Sequence, residues 1–160
     1  RRQRQMCIRD SYVNSSILYC LSAIGSSNQA LQTLQKCQNF AVRTVFGLPK
    51  FSEVSMFRRK LSWLNVKQLA CYRLSLLAYK SVHGNCPEYL QLNLRDCCPE
   101  HDHYTRGYTL RGVNIGNNYA SRRYKERMIA VFNRTGCEIW AQDYSTFKQF
   151  MKLHCEVIQD

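Results

Sequence analysis

Leu31–Pro49 reads LQTLQKCQNFAVRTVFGLP, and this stretch decides the fold class. Leu31, Leu34, Gln38, Ala41 and Val45 recur at three- and four-residue spacing, with Cys37 and Val42 widening the stripe. That is one face of an amphipathic helix. Ser26 and Ser27 ahead of it offer capping oxygens, and Gly47 and Pro49 stop it, so the pattern predicts a helix over 28–46. A second stripe, Gln32, Lys36, Asn39 and Arg43, recurs at +4, +7 and +11 and carries two cations. Spacing alone leaves open whether that stripe meets a ligand or water.

Working outward, Tyr12–Ile24 reads as a short apolar helix closed by Gly25. Ser52 is placed to cap a short helix through Ser62, with Arg58, Arg59 and Lys60 in succession. Consecutive cations point in different directions on a helix, which suits a general basic surface better than one phosphate track. Asn65–His83 follows as a second long helix. Val66, Ala70, Leu74, Leu77 and Ser81 share one side, and Leu69, Tyr72, Leu76 and Tyr79 a neighbouring one. So broad an apolar arc predicts a largely buried helix, with Arg73 and Lys80 on its exposed edge. Gly84 ends it, and Pro87 fits the first turn of a short helix through about Leu92. Between Asn93 and Asn118 the periodicity fades, and Gly107, Gly112 and Gly116 leave only a short extended piece near 112–116. Helices return at Tyr119–Asn133 and from Ser145. The last places Phe147, Phe150, Met151, His154 and Ile158 on one face, with Lys148 and Lys152 outward. The expectation is a mostly α fold: an irregular helical bundle with a long loop and at most that one β piece.

The 160 residues suit one domain or two small subdomains with a real hydrophobic core. No apolar run approaches the roughly 20 residues that span a bilayer, and no secretory signal is visible. The expected setting is therefore intracellular, in nucleus or cytoplasm, with no membrane partner. Charge is the strongest compositional signal, 23 Lys and Arg against 11 Asp and Glu. Such an excess favours polyanions through counterion release, nucleic acid before an acidic membrane surface. Nine cysteines, an odd number without a dense framework, read as reduced thiols. Cys37 and Cys71, inside helices, read as small buried hydrophobes. Arg1–Asp10, RRQRQMCIRD, has four arginines and no continuity with the apolar pattern that begins at Tyr12. Residues 1–10 read as a non-native, adapter-derived tail, with a basic arm that folds on RNA as the rival.

Tyr104–Arg134 holds seven cations (Arg106, Arg111, Arg122, Arg123, Lys125, Arg127 and Arg134) against one acid, Glu126. Tyr104, Tyr108, Tyr119 and Tyr124 are threaded through it. Arginine grips phosphate with a planar fork, and tyrosine faces stack on unpaired bases. Cys97–His103, CCPEHDH, packs six potential metal ligands into seven residues. Cys98, His101 and His103 are the candidate ligands, with Cys86 a distant fourth. Structural zinc sites usually draw on two separated clusters, so a solvated loop is the preferred reading and no cofactor is expected in this chain. Asp96, Glu100 and Asp102 form the only local acid cluster and lack a nuclease frame for two-metal chemistry. No G-x-x-x-x-G-K-[ST], G-x-S-x-G, H-E-x-x-H or C-x-x-C occurs, and no catalytic residue is assigned.

Leu31–Pro49 is followed by Leu61–Val66 (LSWLNV), Tyr79–Leu90 (YKSVHGNCPEYL) and His103–Arg106 (HYTR), and Ser145–Lys148 (STFK) opens the last helix. In that order these pieces resemble the segment after the polymerase core in reverse transcriptases of non-LTR retrotransposons, the Jockey-like and related LINE elements. The resemblance runs from about Tyr12 to Leu153. Phe132-Asn133-Arg134-Thr135-Gly136 stands where that family shows Trp/Phe-Asn-x-Leu-Pro, a departure that suggests a decayed copy or a divergent lineage. The resemblance implies the end of a palm/thumb helix at 11–25, a helical thumb-like subdomain at 26–95, a loop at 96–118 and a C-terminal helical segment at 119–160. It also implies a parent RNA-directed DNA polymerase whose Tyr-x-Asp-Asp palm, with its Mg2+, is not in this chain, since no two acids are adjacent here. The implied partners are RNA, RNA–DNA duplex and the remainder of the reverse transcriptase polypeptide, during target-primed reverse transcription. Lys36, Arg43, Arg106, Arg122, Arg123 and Arg127 are the candidate contacts. Two other classes stay open: a helical protein-interaction module with a basic surface, and a small zinc-stabilised nucleic-acid-binding protein.

Overall fold

The computed structural model describes residues 13, 15–19, 21–88, 124–135 and 137–157. These residues are mostly α-helical, with no strand among them. They divide into two compact units, one ending at Ala70 and the other beginning at Cys71. The expected loop over 96–118, the β piece near 112–116 and nearly all of the helix expected from Pro87 to Leu92 lie outside the described residues.

In the first unit, α1 (Ser15–Leu18) and α2 (Leu21–Ile24) replace the single helix expected over Tyr12–Ile24. Serines compete with the backbone for hydrogen bonds, and three of them (Ser15, Ser16, Ser22) fall in this short segment. α3 (Asn28–Phe46) has the expected bounds. The Ser27 hydroxyl accepts from the Ala30 N–H, and Gly47, at φ 64°, donates its N–H to the Arg43 carbonyl. Left-handed closure of that kind favours glycine, which has no Cβ to clash. Leu31, Gln38, Ala41 and Val42 are buried on α3. Cys37 is exposed, against expectation, because it lies at the edge of the apolar arc rather than within it. α4 (Ser55–Lys60) starts later than expected, behind Val54 and without a side-chain cap. Ser52 instead closes a turn, its N–H donating to the Pro49 carbonyl at 3.1 Å.

α5 (Val66–Val82) opens on a reciprocal cap. Asn65 Oδ1 accepts from the Gln68 N–H at 2.7 Å, and Gln68 Oε1 accepts from the Asn65 N–H at 2.9 Å. Two donors that a helix start leaves without intrahelical partners are thereby satisfied. α3 adds a second connection to this start. Gln35 Oε1 accepts from the Val66 N–H, Gln35 Nε2 donates to Gln38 Oε1, and Gln38 Nε2 donates to the Leu64 carbonyl. Ile17, Leu21, Leu31, Val66 and Ala70 form the core of this unit, with Val13, Leu34 and Leu69 packed against them.

The second unit holds the rest of α5, α6 (Tyr124–Thr135), α7 (Cys137–Trp140) and α8 (Tyr144–Val157). As expected, the arc of α5 is largely buried, and Arg73 and Lys80 are exposed. Tyr79 stands at the centre of an aromatic cluster, 4.5 Å from the Phe147 ring and 4.1 Å from the His83 ring. Its hydroxyl donates to the Gln142 carbonyl at 2.6 Å, and burial raises the phenol pKa above its ordinary range. Trp140 Nε1 donates to Thr135 Oγ1 at 2.7 Å, which fixes the corner between α6 and α7. The buried stripe of α8 is Phe147, Met151 and Cys155, an i, i+4, i+8 row. Phe150 is exposed, so the apolar face expected around it is rotated toward Cys155.

Candidate nucleic-acid interface

Three of the six candidate contacts, Arg106, Arg122 and Arg123, lie outside the described residues, as do Cys98, His101 and His103. No group of three or more His, Cys, Asp or Glu placed to hold a metal occurs among the described residues. Of the other three candidates, only Lys36 has its charge on an open surface. Arg43 is half-buried, and its Nε and Nη2 both donate to the Ser52 carbonyl at 3.2 Å. Arg127 is half-buried as well, with Nε and Nη1 shut off from solvent. Such nitrogens are not presented to a phosphate.

Arg43 acts on the backbone. By gripping the Ser52 carbonyl it holds the Pro49–Ser52 turn against the last turn of α3, and Lys50 and Phe51 occupy the turn's exposed tip. Phe51 is 90% exposed, and the Lys50 ammonium lies 5.6 Å from its ring centroid. On α3, Lys36, Phe40 and Arg43 follow one another at +4 and +3, opposite the buried Leu31, Gln38 and Ala41. Phe40 is 71% exposed. Beyond the turn, Arg59 and Lys60 are exposed, and the Lys60 ammonium lies 5.5 Å from the Phe57 ring. Residues 28–70 contain seven Lys and Arg and a single acid, Glu53. The surface thus pairs exposed cations with two presented rings, a combination able to meet phosphates and base faces.

Sequence reasoning passed over Phe40 and Phe51, placing the stacking rings among the tyrosines of 104–124. A signal was present. Phe40 interrupts the polar side of α3, and Phe51 sits between Lys50 and Ser52 outside any apolar stripe.

Two thiols of the second unit, Cys71 and Cys155, interact with each other. Cys155 is buried and donates to Cys71, and with help from the Arg134 charge and Ser75 this holds the Cys71 thiol down at about 7. The same sharing, with burial, pushes Cys155 far upward. A thiolate so placed is a potential nucleophile near neutral pH, with access restricted by its packing.

Compared with known protein families, curated proteins and solved structures, the chain shows no match. No described helix is long and apolar enough to cross a membrane.

Proposed function

We propose that this chain is the post-palm, C-terminal part of a non-LTR retrotransposon reverse transcriptase, and that it holds template RNA or RNA–DNA duplex through its basic surface. The reading rests on the ordered motifs from Leu31 to Lys148. It draws physical support from one observation above the others. The face of α3 turned away from the core carries Lys36 and continues into the pinned Lys50–Phe51 tip, over a segment with seven cations and one acid. Polymerisation and its Mg2+ belong to the palm, so the chain's own work is positioning: its cations replace counterions along the phosphodiester backbone. Lys36, Lys50 and Arg59 carry that role among the described residues, and Arg106, Arg122 and Arg123, outside them, are candidates for it on sequence alone.

Fluorescence anisotropy with a labelled RNA tests the reading. Combining Lys36→Gln, Lys50→Gln and Arg59→Gln should weaken binding roughly 100-fold at about 0.1 M salt, if each contact releases ~0.7 counterion. All three side chains are exposed, so the variant keeps its core. Unchanged affinity would reject this surface as the binding site. A protein-interaction module would show negligible RNA binding by wild type and variant alike.

A further inference from the structure

Phe51 is 90% exposed and Phe40 71%, and neither ring contributes to a core. Scattered exposed apolar residues are ordinary, but the tip that carries Phe51 is built. Ser52 donates back to Pro49, and Arg43 spends its guanidinium on the Ser52 carbonyl. A rigid turn that displays a phenyl ring lowers the entropy lost when the ring is covered.

The neighbouring charges indicate what covers it. The Lys50 ammonium lies 5.6 Å from the Phe51 ring centroid, and Lys36 precedes Phe40 by one helical turn. An aliphatic protein groove would leave these ammonium groups without counter-charge, whereas a nucleic acid supplies a phosphate for every base. Duplex stacks hide their π-faces, and only unpaired bases offer them.

Resting on the function proposed above, we propose that Phe40 and Phe51, with Lys36 and Lys50, form a stacking surface for unpaired bases of single-stranded RNA. The rings take bases, while the two lysines hold the phosphates between them. Affinity at this surface then depends on the bases as well as on the backbone charge.

Anisotropy titrations of the full chain with three probes test this: an oligouridylate, an abasic phosphodiester strand of equal length, and an RNA duplex. The expected result is preference for the oligouridylate over the abasic strand. Phe40→Ala and Phe51→Ala should each reduce that preference roughly tenfold, Phe51→Trp should retain it, and abasic and duplex binding should not change. Both rings are exposed, so circular dichroism should show the fold intact. Alanine variants that bind oligouridylate like wild type would overturn the stacking surface while leaving backbone binding in place. No binding to any probe would overturn both. Self-association of the wild type that Phe51→Ala abolishes would also overturn it, by giving the rings a second copy as occupant.

Discussion

Asn65 and Gln38 show how much of the first unit depends on single amides. Asn65 satisfies the Gln68 N–H at the start of α5, and alanine there should cost about 1 kcal/mol in denaturant unfolding. Gln38 is buried, and its Nε2 donates to the Leu64 carbonyl. Gln38→Ala should cost roughly 1–3 kcal/mol, because a buried acceptor loses its donor. A loss well below 1 kcal/mol would show that water replaces the amide. Sequence pattern located Gln38 on the apolar face but could not name its partner, which lies 26 residues away. The same limit applies to Arg43 and Arg127. Residue type marked them as cations, and only folded geometry shows that one grips the Ser52 carbonyl and that the other has its Nε and Nη1 buried.

At the scale of elements, legibility followed punctuation. α3 was readable to its ends because Ser27 and Gly47 bracket a strong stripe. α7 spans only four residues, too few for any period to register, and was missed. Ser52 looked like a cap on residue type alone, yet its backbone had other work. The stripe of α8 shifted because Cys155, a small thiol, outranks Phe150 in burial. That thiol couples α8 to α5 electrostatically, with a consequence for stability. Cys71 is lowered from 9.0 to about 7, so its stabilising effect is fully present above pH 9 and is lost as pH falls through 7. Cys155 is raised, so its contribution is present below pH 9 and fades above it. Under reducing conditions the melting temperature should therefore rise from pH 7 to 9 and fall beyond. Cys155→Ala removes the donor and should abolish the rise. A rise that persists in this variant would assign the effect to other groups.

For the whole molecule, the excess of 23 Lys and Arg over 11 Asp and Glu is the compositional basis of the proposed polyanion binding. Helical class followed from periodicity, and the described residues are mostly α. Phe40 could be read as an apolar residue on the polar side of α3, whereas the display of Lys50 and Phe51 depends on a turn that only the folded geometry pins. In the proposed function, exposed cations on this helical framework clasp a phosphodiester backbone. The salt dependence of RNA affinity measures this most directly, since each displaced counterion enters the slope of log K against log salt. With at least three phosphate contacts, at ~0.7 counterion each, the slope should be about −2 or steeper. Affinity that stays flat across the same salt range would contradict the account.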